Sequence, residues 1–421
     1  MIFALIVFIL TYVLMIALPK YRLITVIVSA LIFLVFGVLP IKEVFNAIDW
    51  NVLMILLGTM GVVFFFIESK MPNKMADMLI LKSRNTMWAV VLISSFAGVI
   101  SAFVDNVATV LMVAPVGLAI AKKIKISPVP MLICISVSAN LQGAATLVGD
   151  TTSIMLGGAA NMSFIDFFFM KGKPGIFWAV ELGALATVPI IMFIFRKNKE
   201  KVDAVEVTEV TDYFPSILLL LNIIFLIIAS FIEKKPDITN GLICVSLFIV
   251  GLVRELIKRK NFGFVKETVK SIDFETLGLL ACLFIIIAGI KEAGVIDEIS
   301  NLFVKVGGNN LFLTYTLIVW GSVIISAFVD NIPYVATMLP VVFGISQILG
   351  CDPLVLYFGL LTGATLGGNL TPIGASANIT TIGILKKEGY EVKTSDFVKI
   401  GVPFTFVAVL VGYLFIWFVW A

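Results

Sequence analysis

Six residues, Ser-Ala-Phe-Val-Asp-Asn, occur twice in this chain, at Ser101–Asn106 and at Ser326–Asn331. Each copy interrupts a long apolar run. A carboxylate in such surroundings is costly to bury unless it caps a helix, pairs with a cation or binds one. As an N-cap, the aspartate accepts N–H groups from the helix that follows. As a ligand it suits Na⁺, or it takes up and releases a proton where burial raises its pKa. No histidine occurs in the chain, so these aspartates are its natural proton carriers.

The duplication reaches beyond the six residues. "SAFVDNVATVLMVAPV" and "SAFVDNIPYVATMLPV" share nine of sixteen positions, and "GAATLVGDTTSI" and "GNLTPIGASANI" share four of twelve, all 225 residues apart. Upstream, "IDWNVLMILLG" resembles "IDFETLGLLAC" at an offset of 224. The second block is rich in glycine and small polar residues. Backbone of that kind at membrane depth must line a buried or wet cavity. The candidate ion and substrate ligands are therefore Asp105, Asn106, Thr109, Ser138, Asn140, Thr146, Asp150, Thr151, Thr152 and Ser153 in the first copy. The second copy supplies Asp330, Asn331, Thr337, Thr365, Asn369, Thr371, Ser376 and Asn378. Na⁺ is expected near Asp105, Asn106, Asp330 and Asn331. The helix starts after Asp105, Asp330, Asp150 and Gly374 are expected to offer free N–H groups to an anion.

The elements that position these residues are membrane helices. Hydrophobic residues make up 60% of the 421 and charged residues 14%, against about 25% charged in soluble domains. Apolar runs cover Met1–Leu18, Leu23–Leu39, Asn51–Ile67, Ile176–Phe195, Phe214–Ile232, Ile238–Val253, Phe274–Ile290 and Gly401–Ala421. No small-residue cleavage site follows the first run, which reads as a span. Lys82 and Arg84 precede the first repeat unit, and Lys122, Lys123 and Lys125 follow it. Both clusters are cytoplasmic only if the unit is a re-entrant hairpin.

The expected fold is all-α and integral to the membrane, with about ten spans and two re-entrant hairpins in two inverted repeats. The first repeat is 1–195, with a hairpin at 87–121 and a broken helix at 128–160. A cytoplasmic linker, 196–213, follows. The second repeat is 214–421, with a hairpin at 309–349 and a broken helix at 353–384. Such tips and unwound helices mark secondary transporter sites at the midplane. Pro72–Lys82 reads as an interfacial helix beneath the first hairpin. The four scattered cysteines read as packing residues. No P-loop is present, so ATP does not drive transport in this chain, and nothing suggests nucleic-acid binding.

These motifs, with "GGNLTPIGASANI" and "KKEGYEVKTSDFVKIGVPF", resemble the ion transporter superfamily. The branch is that of the P protein, arsenite-efflux membrane proteins and NhaD-type antiporters, more distantly the divalent-anion/sodium symporters. The resemblance implies a fixed scaffold, a transport domain that moves as an elevator, and a homodimer. In the symporter branch the tips read Ser-Asn-Thr and bind Na⁺ and a carboxylate. Here they read Asp105-Asn106-Val107 and Asp330-Asn331-Ile332. The family's Gly-Asp-Pro-Pro-Asn is here Gly149-Asp150-Thr151-Thr152-Ser153.

The expected function is a secondary active transporter in the cell membrane, moving a small, anionic substrate with Na⁺ or H⁺ coupling and no other cofactor. A Na⁺/H⁺ antiporter and an arsenite or antimonite efflux permease are alternatives, and a channel has the same parts. An intramembrane aspartyl protease, the one enzyme with comparable aspartates, fits poorly, because Leu147 replaces the first glycine of its Gly-x-Gly-Asp pattern.

Overall fold

The computed structural model describes residues 1–123, 126–200, 207–260 and 263–421. Lys125, Lys201 and part of the 196–213 linker, assigned to the cytoplasm above, lie outside the described residues. Helices dominate, because apolar segments in lipid must satisfy their backbone groups internally.

In the first half, α1 (Ile2–Ala17) and α2 (Arg22–Val35) meet at a corner of 119°. The runs expected as two separate spans thus form helices of 16 and 14 residues either side of a short turn at Pro19–Tyr21. A short α3 (Val44–Ala47) leads to α4 (Trp50–Glu68), whose first turn is capped by Asp49. Helix α5 (Met71–Leu81) packs against both arms of the first hairpin, α6 (Thr86–Ser101) and α7 (Asn106–Lys123). The broken helix follows as α8 (Pro128–Gly143) and α9 (Thr151–Ala159). A two-residue antiparallel pairing, Phe169–Met170 with Lys173–Pro174, precedes α10 (Ile176–Ile194).

The second half repeats the order. It runs α11 (Phe214–Ser230), α12 (Thr239–Arg259), a short α13 (Gly263–Ser271) and α14 (Phe274–Glu292), capped by Asp273. Then come α15 (Val295–Val306) and the second hairpin, α16 (Leu311–Ser326) and α17 (Asn331–Leu349). Helices α18 (Pro353–Gly367) and α19 (Ser376–Lys387) form the second broken helix, and α20 (Thr394–Trp420) closes the chain.

Among the described residues, eight helices can cross a membrane by length and composition, or ten if two bent pairs, α1–α2 and α15–α16, each count as one span. The protein is a multi-pass membrane protein. The second hairpin arms, α7 and α17, are 18 and 19 residues long. At 1.5 Å per residue each reaches about 27 Å, more than the half-depth expected of a re-entrant arm.

Both arms of each hairpin embrace the helix that follows, α6 and α7 around α8, α16 and α17 around α18. All but one residue of α8 and of α18 are buried, which is why neither carries an amphipathic stripe. A second group packs α4 on α12 and α2 on α14, and meets the first through α9 and α17. The buried side chains form one large cluster and a smaller one around Phe65, Phe248 and Phe264.

Candidate functional site

Each tip is built from its own aspartate. Asp105 Oδ1 accepts the N–H groups of Val107 and Ala108 at 3.0 and 3.1 Å. Asp330 Oδ1 accepts that of Ile332 at 3.1 Å. Beneath each tip lies the unwound loop of the broken helix. Thr146 donates its hydroxyl to the Ala102 carbonyl, and Thr371 donates to that of Ala327.

The loops come close enough to require glycine. A Cβ on Gly149 would stand 2.6, 2.7 and 2.8 Å from the carbonyl oxygens of Gly143, Ser101 and Ala102. On Gly374 it would stand 2.6, 2.7 and 2.9 Å from those of Gly368, Ser326 and Ala327.

Where the tips converge lies a cavity of about 380 Å³. The first half contributes Asp105, Asn106, Gly149, Asp150 and Thr151, and the second Asn331, Ile332 and Ser376. One face of α4, from Leu56 to Ile67, and Asp273 and Thr276 of the α14 start complete the wall. Three carboxylates and no basic side chain line it among the described residues. No three acidic, histidine or cysteine side chains among those residues are grouped to chelate one ion. Any cation here would be held by single carboxylates, with carbonyl, hydroxyl or amide oxygens.

The other expected ligands stand behind this wall. Asn106 Nδ2 donates to Asn140 Oδ1 at 3.0 Å, and Asn140 Nδ2 donates to the Thr365 carbonyl at 2.8 Å and to Asn369 Oδ1 at 3.0 Å. Asn369 Nδ2 donates to the Val137 carbonyl at 2.9 Å. Ser136 Oγ donates to Asn378 Oδ1 at 2.6 Å, and the hydroxyls of Thr152 and Thr365 bond at 3.0 Å. Thr109 and Ser153 donate to the Val104 and Gly143 carbonyls. Thr337 is bonded by Tyr12, and Ser138 is buried in α8. Of these, Ser136, Asn140, Thr152, Thr365, Asn369 and Asn378 join the two broken helices to each other. A buried network of this kind rigidifies a core because every unmet partner would be costly.

Two expectations change. Three of the four helix starts expected to offer free N–H groups are capped by their own aspartates, since Asp150 Oδ1 accepts the Thr151 N–H at 2.7 Å. Only α19, whose N-cap is Ala375, has no side-chain cap. And Asp330, expected near Na⁺, pairs instead with Arg22, whose Nη1 is 2.8 Å from Asp330 Oδ2.

Sequence reasoning missed Asp273, Thr59 and Thr276 on the cavity wall, and Arg22. For Asp273 a signal existed in the Ile-Asp-aromatic triplet shared by Ile48–Trp50 and Ile272–Phe274. For Arg22 there was none, because its partner lies 308 positions away.

A second cavity, of about 910 Å³, is lined by Asp49, Val52, Met155, Gly158, Leu339 and the α14 end at Lys291 and Glu292. Helix α4 therefore starts at this cavity and ends at the first, while α14 starts at the first and ends at this one.

Buried hairpin tips and interrupted helices around a small, largely apolar cavity that holds three carboxylates define a membrane transport protein. Residues 12–358, and again 241–421, match the family model described as citrate transporter, and the chain belongs to that family. It is 29% identical over 387 residues to an uncharacterized transporter of Mycobacterium bovis, covering 88% of this chain and 86% of that protein. It is 25% identical over 454 residues to the P protein of Homo sapiens, covering 88% of this chain and 54% of that longer protein. Among solved structures, the YdaH transporter of Alcanivorax borkumensis superposes with a TM-score of 0.59 at 14% identity, covering 89% of this chain and 86% of that one. MtrF of Neisseria gonorrhoeae, described as illuminating a class of antimetabolite efflux pumps, gives 0.58 at 15%, covering 95% and 84%. These likenesses establish the fold.

Proposed function

We propose that the protein is a secondary active transporter that carries a small anion together with a coupling cation, Na⁺ or H⁺. The observation that carries this reading is the unequal charge of the two sides of the cavity. On the first side, Asp105 and Asp150 face the space with no basic partner among the described residues. On the second, Asn331 and Ile332 line the space, Asp330 before them lies off the wall and is paired with Arg22, and α19 begins uncapped at Ser376. A cation is favoured at the first side, and an anionic oxygen at the second, where no side chain caps the α19 start at the wall residue Ser376.

The family's description supports a carboxylate as cargo. A polycarboxylate would meet three wall carboxylates, so it would travel with its charge offset by cations. The opposed directions of α4 and α14 between two cavities support inverted repeats and alternating access. Two cavity wall residues, Ile67 and Ser271, lie close in sequence to the basic residues Lys70 and Lys270, and the positive-inside rule supports a cytoplasmic opening. Elevator movement of the hairpins and broken helices against α2, α4, α12 and α14, in a homodimer, fits these groups.

The test is flux into proteoliposomes with citrate and a panel of small anions, with and without Na⁺ and pH gradients. Saturable anion flux that needs a cation gradient is the expected result. Asp105→Asn should lower it about 100-fold, the equivalent of a lost charge-assisted interaction of roughly 2.7 kcal/mol. Anion flux indifferent to every cation gradient would sink the reading, and Na⁺/H⁺ exchange with no anion present would replace it by the antiporter.

A further inference from the structure

The two tips share six residues and one carbonyl cradle, yet a cation is built into only one of them. Arg22 is the first residue of α2, and its Nη1 lies 2.8 Å from Asp330 Oδ2, with side-chain exposures of 25% and 13%. Tyr12, on α1, holds the same corner against the second hairpin by donating to the Pro333 carbonyl at 2.6 Å. Among the described residues, Asp105 receives only the N–H groups of Val107 and Ala108.

The counterpart of Arg22 in the other half can be found from the packing. In the first half Leu23 and Phe33 of α2 press on Gly278 and Gly289 of α14. In the second, Gly241 and Gly251 of α12 receive Met54 and Phe65 of α4. Gly278 and Met54 are 224 positions apart, as are Gly289 and Phe65. Leu23 therefore matches Gly241, Phe33 matches Gly251, and Arg22 matches Asn240. Asn240 is buried and neutral, and its Oδ1 has no partner among the described residues.

We infer that the Arg22 guanidinium is a tethered cation filling the second tip's ion position, so that each chain carries a single mobile coupling cation, at Asp105. The carbonyl cradle was duplicated with the tip, and a duplicated cradle plus carboxylate would otherwise offer two equivalent cation positions. A guanidinium stays charged at any working pH and cannot leave. One tip is thereby fixed in charge while the other is free to load and unload. This inference rests on the cation-coupled reading above.

The experiment is equilibrium binding of radioactive Na⁺ to the purified full chain in detergent, with folding followed by gel filtration. Wild type should bind one Na⁺ per chain, and Asp105→Asn should lose it. Arg22→Gln frees Asp330 and should double the bound Na⁺. Arg22→Lys, which keeps the charge, and Arg22→Gln combined with Asp330→Asn should both return to the wild-type stoichiometry. An Arg22→Gln chain that binds no more Na⁺ than wild type overturns the inference. Should that variant fail to fold, Asp330→Asn decides: unchanged Na⁺ binding upholds the inference, and a loss overturns it. Wild type binding no Na⁺ would count against Na⁺ coupling itself, and the gain in Arg22→Gln would still decide the role of Arg22.

Discussion

The two hairpin tips are alike in backbone and unlike in charge. Their carbonyl cradles agree to within 0.1 Å around Gly149 and Gly374, and the same threonine hydroxyl ties each loop to its tip. Their surroundings then diverge. The first tip shows Asp105 to the cavity beside Asp150, and the second has Arg22 on Asp330 and Ala375 where the first has Asp150. Duplication supplied a frame that two halves could share, and one difference inside the duplicated blocks, Asp150 against Ala375, and one outside them, Arg22, gave the halves unlike electrostatic character. The proposed joint binding of a cation and an anion rests on this inequality, an acidic side on one tip and an uncapped helix start on the other.

The largest expected effect tests the shared frame. Gly149→Ala and Gly374→Ala should each destabilise the protein by about 3 kcal/mol, because a methyl would collide with three backbone carbonyls that cannot withdraw. The loss should be equal in the two halves, read as melting temperature in detergent. A large loss at only one would mean that the cradles are not equivalent.

A smaller effect tests the difference. Ala375→Asp gives α19 the cap that α9 already has, and should weaken anion binding about tenfold by closing the uncapped helix start. Unchanged anion affinity in that variant would break the proposed division between the tips.

The smallest effect concerns an Arg–Asp pair away from the tips. Outside the spans, Asp212 receives Arg254 and Lys258 at 2.5 Å each, and these cations hold its carboxyl well below the usual range. Asp212→Asn should cost less than about 1 kcal/mol, as the pair is water-screened. Because the folded-state pKa is depressed, its contribution is present above about pH 4 and fades as pH falls below that. The gap in melting temperature between wild type and Asp212→Asn should therefore narrow in acid. A gap that widens in acid would reverse the assigned sign.

Much of this was legible in the chain. Asp-Asn and Gly-rich breaks in apolar runs marked both tips and both interrupted helices to within a few residues, since such residues cannot extend a membrane helix without a local reason. The site itself was less legible. Asn140, Thr365, Asn369 and Asn378 are of the same residue types as cavity ligands, and only their hydrogen bonds show that they hold the two broken helices together. Asp273 caps a helix in one half as Asp49 does in the other, and the two open onto different cavities.

The sequence by itself determined a helical, duplicated membrane protein and the places where its helices break, because hydropathy, repeat spacing and helix-breaking residues are local properties of a chain. Which carboxylates face the cavity, which polar groups are consumed in the core, and which aspartate is matched by a cation were decided only by tertiary structure. Burial and charge pairing depend on neighbours that packing brings from hundreds of positions away, and no local pattern encodes them.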